Sequence, residues 1–385
     1  MIKKIPYGKQ FIDNKDINLV KQSLKGKYIT TGNFVNLFEK EIKKKTGSKF
    51  ALSCVNGTAG LHLALLSLKL KKNDVVIMPA INFISSYRVA ELLNLKIFLA
   101  DVDPLSGQMT PANVESCIKK NKIKKIKVII TMYLGGYIEN NLNFFELKKK
   151  YKCFLVEDAC HALGAKYKFK NSYYSLGSCK HSDIAVFSFH PVKNITTGEG
   201  GAILTNNNIL AKRIALFRNH GMLKSKNYWK YDIKDLGYNY RLSDINCALG
   251  LSQLRKLDKF IKKRKEIFLN YNKNFKKFNQ INLYNYSNKN NGYHLYILSI
   301  NYNKLKCSKD SFIKKLIKKG INVQFHYPPI YSFSFYKDKY KGIFRGSEQY
   351  YKNSFSIPIY YSLSQSDQKY IVRNIIKIIY ENLKK

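Results

Sequence analysis

Acidic residues are scarce in this chain: 25 Asp plus Glu stand against 68 Lys plus Arg in 385 residues, a formal charge of +43. Arginine is scarcer still, at eight of those 68, which argues against nucleic acid, because base edges and phosphates are gripped best by a forked guanidinium. Lysine runs such as 148–150 and 262–265 lie on expected helix faces, where they read as solvated surface. No apolar run approaches the roughly 18 residues that cross a bilayer. The opening MIKKIPYGKQ is broken by Pro6, Gly8 and Lys9 where a secretory signal needs apolar residues. A cytoplasmic protein with no membrane and no nucleic-acid partner is expected. The seven cysteines (54, 117, 153, 160, 179, 247, 307) form no CxxC pair and no metal spacing with the scattered histidines. Free buried thiols and no metal site follow.

What remains is ordinary globular composition, 45% hydrophobic and 24% charged, which excludes whole-chain disorder, collagen and coiled coil. Short apolar runs alternate with helical patterns from about 50 to 205, the signature of a mostly parallel sheet covered on both faces. Strands are expected at 50–54, 75–78, 97–100, 128–131, 153–157, 184–188 and 202–205. Apolar residues three and four apart predict helices at 16–24 and 34–45. A long helix is expected from an N-cap at Ser243 to Phe268, bridging two domains. Beyond about 290 the order becomes strand 294–300, helix 308–319, strand 321–326, then helices 346–353 and 365–383, with 283–292 as interdomain linker. The expected division is 1–245, an N-terminal arm and large α/β domain, and 246–385, the bridging helix and a small α+β domain.

Chemistry concentrates in IAVFSFHPVKNITTGEGG (184–201), where a buried strand runs into a loop carrying Ser188, His190 and Lys193. Burial at a strand end disfavours an ammonium, and a neutral amine is what Schiff-base formation needs. CFLVEDACHALGA (153–165) delivers Glu157 and Asp158 at a strand's carboxyl end, followed by His161. Ligands of α/β sheets sit there, and a carboxylate in that place can keep a pyridinium nitrogen protonated. Asp158 as a helix N-cap is the competing reading. NGTAGLH (56–62) opens an apolar helix whose free amides can cradle a phosphate, and Phe83, after the strand at 75–78, can stack on a flat ring or simply pack.

These segments resemble the DegT/DnrJ/EryC1/StrS family of sugar aminotransferases, fold-type I pyridoxal phosphate enzymes. The resemblance runs nearly the whole chain, adding IPYGKQ (5–10), ITTGNFVNLFEK (29–40), RNHG (218–221), LGYNYRLSDINCALGLSQL (236–254), INVQFHYPPIY (321–331) and SIPIYYSL (356–363). It implies a fold-type I architecture: a seven-stranded mixed, mostly parallel sheet sandwiched by helices, with a smaller C-terminal α+β domain. It makes Lys193 the Schiff-base lysine, Asp158 the partner of the pyridine nitrogen, Phe83 the ring stacked on the cofactor and His161 a further cofactor contact. Thr58, Ala59 and Ser188, with Asn239 of the neighbouring subunit, would hold the phosphate, which implies a homodimer sharing its active sites. Tyr7, Arg241, His326 and Tyr327 fall on the substrate side. Asn33 and Tyr133 depart from the family's usual proline and histidine, the latter bearing on the substrate side.

Lysine rather than histidine at 193 favours transamination over the deoxygenation of dehydratase relatives. Tyr228-Trp229 and GYHLYIL (292–298) add a likeness to members that aminate C4 of a UDP-linked 4-keto-6-deoxy-N-acetylhexosamine toward pseudaminic acid. The amino donor this implies is glutamate. Another nucleotide-sugar aminotransferase, acting at C3 or on a GDP- or dTDP-linked sugar, is the enzymatic alternative. A polyanion-binding protein on the same scaffold is the other, and it rests on net charge alone.

Overall fold

The computed structural model describes residues 3–224, 227, 229–337, 339–340, 342 and 344–384; Tyr228 lies outside them. Seven strands form one sheet: β1 (Phe50–Cys54), β2 (Val75–Pro79), β3 (Lys96–Ala100), β4 (Val128–Met132), β5 (Phe154–Asp158), β6 (Ile184–Ser188) and β7 (Gly201–Thr205), in spatial order β1-β7-β6-β5-β4-β2-β3. β7 alone runs antiparallel to the other six. The expected strands at 50–54 and 184–188 recur unchanged, and the other five differ by one residue at one or both ends.

Successive residues of a strand point to opposite faces, and the core divides accordingly. Val76, Met78, Val128, Ile130, Val156, Val186 and Ile203 pack on one side with α3 (Gly57–Ser67), whose Leu61, Leu63 and Leu65 are all buried. A helix apolar all round belongs in such an interior. Ala185, Phe187, Ala202 and Leu204 pack on the other side, under the helices α1 (Asn14–Leu24), α2 (Asn33–Thr46) and α5 (Asp244–Leu254), with α4 (Ser85–Leu92) lying beside α3. Asn33 opens α2, where a proline would find its missing N–H unneeded. Here the Asp244 carboxylate caps that helix instead, accepting from the N–H groups of Gly32 at 2.7 Å and Phe34 at 2.8 Å.

The helix expected over 243–268 is two helices. Ser243 does cap α5, accepting from Asn246 N–H, but α5 stops at Leu254 and α6 runs from Leu257 to Phe275. At the joint the Lys256 ammonium pairs with Asp13 at 3.0 Å and the buried Asp16 at 2.6 Å. The apolar period continues through this point, so tertiary ion pairing fixes a bend that periodicity does not register.

From Ile267 onward α6 packs on a three-stranded antiparallel sheet, β8 (Ile281–Asn282), β9 (Tyr296–Ile300) and β10 (Ser354–Ile357), together with α7 (Lys309–Lys318) and α9 (Gln365–Glu381). A further helix, α8 (Arg345–Asn353), leads into β10. Residues 321–326 are not a continuous strand. They make two isolated bridges, Ile321 to Ile5 and Gln324 to Ser356, because the N-terminal arm takes one end and β10 the other. The 283–292 segment is a strap fastened to the large sheet's rim. Tyr286 stacks on Tyr137 at 3.8 Å, and Asn291 Oδ1 accepts from Ile138 N–H at 3.0 Å.

Candidate active site

The carboxyl ends of β1, β2, β4, β5 and β6 line one edge of the sheet, and most of the expected site residues follow them within a few positions. Asp158 ends β5 and is 3% exposed. Its Oδ2 accepts from Ser86 Oγ at 3.0 Å, which in turn accepts from Asn82 Nδ2 at 3.1 Å, and its Oδ1 accepts from Cys160 N–H at 3.2 Å. No helix follows β5, so the N-cap reading of Asp158 fails; residues 159–165 form turns.

Lys193 stands in the loop after β6, its own N–H donating to His190 O at 2.8 Å. Burial holds its ammonium below the ordinary lysine value, and the nearby Cys160 and Asp158 only partly offset that. Among the described residues no carboxylate lies within ion-pair reach of it. The amine and the Asp158 carboxylate thus feel each other's charge without touching.

His161 lies in the turn after Asp158. Its Nδ1 accepts from Gly135 N–H at 3.2 Å and its Nε2 stands 3.0 Å from Tyr327 Oη. Burial, then Lys193 and His326, push its pKa well below the ordinary histidine range. His326 is pressed down to about 3 by burial, then Lys193, and its Nδ1 meets Ser356 Oγ at 2.9 Å. The Tyr7 ring lies 5.6 Å from the His326 ring, and Phe83, 52% exposed, lies 5.6 Å from the Tyr327 ring. A phenyl ring left half in solvent at a strand end has a free face to offer.

The other end of the cleft is the start of α3. Asn56 caps it, its side chain accepting from Ala59 N–H at 2.8 Å, so the unspent first-turn amides are those of Gly57 and Thr58. Thr58 is exposed and Ser188 half-buried. A side chain at Gly57 would press on Ser188 Cβ at 3.0 Å and Cys160 Sγ at 3.1 Å, so only a bare backbone lets the start of α3 come this close to Ser188.

Two expected residues stay apart from this group within one chain. Asn239 is exposed, in an isolated bridge with Asn219, and Arg241 donates to Asn219 Oδ1 at 2.5 Å. Tyr133 does not face the substrate side. It is buried, and its hydroxyl donates to Glu157 at 2.9 Å on the opposite face of β5. Sequence reasoning missed Ser86, Asn56, Gly135 and His294. Asn56 and His294 sat inside quoted motifs, whereas nothing local distinguishes Ser86 from any other helical serine.

The DegT/DnrJ/EryC1/StrS aminotransferase family profile matches residues 10–376. The chain belongs to this family. A Campylobacter jejuni protein (serotype O:23/36, strain 81-176), named UDP-4-amino-4,6-dideoxy-N-acetyl-beta-L-altrosamine transaminase, is 37% identical over 386 residues, 99% of each chain. Helicobacter pylori PseC, an aminotransferase involved in the biosynthesis of pseudoaminic acid, superimposes with a TM-score of 0.89 at 28% identity, covering 98% of this chain and 100% of that one. The PLP form of the putative sugar aminotransferase Spr1654 from Streptococcus pneumoniae gives 0.88 at 26% identity, covering 98% and 99%. The family, the fold-type I architecture and the aminotransferase class expected from the sequence all stand. No helix among the described residues is long and apolar enough to cross a membrane.

Proposed function

We propose that this aminotransferase moves an amino group from L-glutamate to the C4 ketone of a UDP-linked 4-keto-6-deoxy-N-acetylhexosamine, on the way to pseudaminic acid, in the cytoplasm. The observation that carries the reaction type is the pairing of a desolvated Lys193 amine with a buried, hydrogen-bonded Asp158 carboxylate in one cleft. The full-length likeness to the Campylobacter transaminase supports the substrate.

The donor set fits pyridoxal phosphate. The bare Gly57 backbone comes close to Ser188, and the amides of Gly57 and Thr58 with Ser188 Oγ suit the phosphate. Asp158 has acceptor capacity left beyond Ser86 and Cys160 to hold the ring nitrogen's proton, and Phe83 has an exposed face for the ring. When bound, the cofactor supplies a carbonyl that takes up the donor's amino group and a ring that accepts the electron pair released at carbon. Lys193 would serve as general base and acid, taking the proton from the donor's α-carbon in the first half and delivering one to the sugar's C4 in the second. Ser86 fixes which way the Asp158 carboxylate points. The positive surface draws in the diphosphate.

We further propose a homodimer. Tyr231 and Ile233 lie on one face of the hairpin 222–233 and Leu223 on the other, all exposed, as is Leu236; exposed apolar side chains of this kind support an interface, and the exposed Asn239 follows them. Sedimentation should give twice the chain mass. The functional test offers the purified enzyme and glutamate a panel of UDP-, GDP- and dTDP-linked 3- and 4-keto-sugars, with products read by mass. Amination of the UDP-linked 4-keto-N-acetyl sugar is expected; exclusive turnover of another member overturns the substrate assignment.

A further inference from the structure

Three of the seven histidines gather beside Lys193: the ring of His161 lies 4.4 Å from that of His294 and 6.1 Å from that of His326. We propose that Gly135, His161 and Tyr327 form a hydrogen-bond chain of fixed direction. His294 is the positioning residue that holds its middle member, and the Tyr327 hydroxyl is thereby committed to donating to an acceptor oxygen of the bound ligand. This rests on the Lys193–Asp158 cleft being the ligand site.

The direction follows from the first link. An amide N–H can only donate, so His161 Nδ1, 3.2 Å from Gly135 N, carries a lone pair and the ring proton sits on Nε2. Nε2–H then donates to Tyr327 Oη at 3.0 Å, and the tyrosine's own proton must point elsewhere. Among the described residues that hydroxyl has no second partner, and around Tyr327 lie Phe83, the Asp158 carboxylate, Tyr7, Cys160 and Tyr350. Protonating His161 would set a second N–H against Gly135. Burial, and then the nearby Lys193 amine, add to that penalty. With Nδ1 occupied, no proton can be relayed through His161, which leaves proton transfer at carbon to Lys193.

Gly135 governs both histidines. Its carbonyl accepts from the N–H groups of His294 at 2.8 Å and Leu295 at 3.1 Å while its own N–H holds His161. Its φ of +72° and the Tyr137 ring, 2.6 Å from any added Cβ, reserve the position for glycine. His294 is buried and neither of its ring nitrogens has a partner among the described residues, so it acts on His161 by packing. The buried Arg264 guanidinium, donating to His294 O at 3.1 Å and Ile359 O at 2.8 Å, ties that wall to α6.

The test reads the tautomer first. In cofactor-free protein labelled with 15N-histidine, His161, identified by the signals lost in His161→Gln, should be neutral with its proton on Nε2 from about pH 6 to about pH 8. A proton on Nδ1, or a charged ring, overturns the chain. His294→Ala should mix the two tautomers, and His294→Phe, which keeps a ring against His161, should restore the single one. An unchanged His161 signal in His294→Ala removes His294 from the proposal. Tyr327→Phe then separates two sources of the acceptor oxygen. Weaker pyridoxal phosphate binding by the cofactor-free protein assigns it to the cofactor. Unchanged cofactor binding with a KM for the keto-sugar raised about tenfold assigns it to the sugar, and neither change overturns the donor role. Because the tautomer is read without substrate or cofactor, its failure is distinguishable from failure of the proposed reaction.

Discussion

Two neighbouring carboxylates on β5 end in opposite worlds. Asp158 faces the cleft, on the α3 side of the sheet, while Glu157 faces the core, where it accepts from Tyr133 and Ser182, each at 2.9 Å. Both are buried and both take a serine hydroxyl, so hydrogen bonding does not distinguish them. What differs is the company: Asp158 shares its surroundings with the Lys193 amine, and Glu157 has only neutral groups in contact and another carboxylate, Asp183, nearby. Burial, the larger cause, raises the Glu157 carboxyl to about 7. A carboxylate at the end of a sheet strand is therefore a functional candidate only on the face that opens to the ligand.

The sharpest way to break this contrast is to remove the groups on the cleft side. Lys193→Ala should lose at least about 10³-fold in kcat, since it deletes the general base and acid of both halves, while the folded protein still takes up cofactor. Turnover near the parent rate would end the assignment. Asp158→Asn should cost about 10²-fold or more in kcat/KM through the loss of the charge at the ring nitrogen, whereas Glu157→Gln should stay within about threefold of the parent, since it changes no group in the cleft. Equal losses in the two variants would erase the distinction between the faces.

A pH experiment separates them differently. An unfolded chain releases the Glu157 proton near the ordinary 4.5, and the folded protein keeps it to about 7. This group's contribution to stability is thus whole below 4.5 and drains away as pH rises to about 7, by on the order of 3 kcal/mol at most. Glu157→Gln lacks that decline, so its Tm relative to the parent should rise between pH 5 and about pH 7.5; a constant difference would show that the carboxyl does not titrate there. On the cleft side the smallest loss expected is that of Ser86→Ala. Losing one hydrogen bond to a charged carboxylate is worth about tenfold in kcat/KM, and Ser86→Thr, which retains the hydroxyl, should recover most of it.

The strand ends carrying Asp158 and Lys193 were legible because a buried parallel strand reads as an unbroken apolar run, and a charged residue at its end interrupts that run abruptly. The same local signal could not tell Glu157 from Asp158, adjacent in sequence and opposite in direction. Nor could it assign Tyr133, which the family resemblance set on the substrate side and whose hydroxyl instead donates to the buried Glu157. The bend at Lys256 escaped for a related reason: both α5 and α6 keep a helical period, and the ion pairs at the joint reach Asp13 and Asp16, some 240 positions away.

By itself the sequence determined most of the elements and the chemistry at their ends, because hydrogen-bonded strands and helices impose periods of two and 3.6 on nearby residues. Tertiary structure alone decided which face each end residue met, which backbone amide fixed the proton on His161, and that His294, 133 positions further along the chain, would pack against it. Those outcomes depend on distances between segments that no local period encodes.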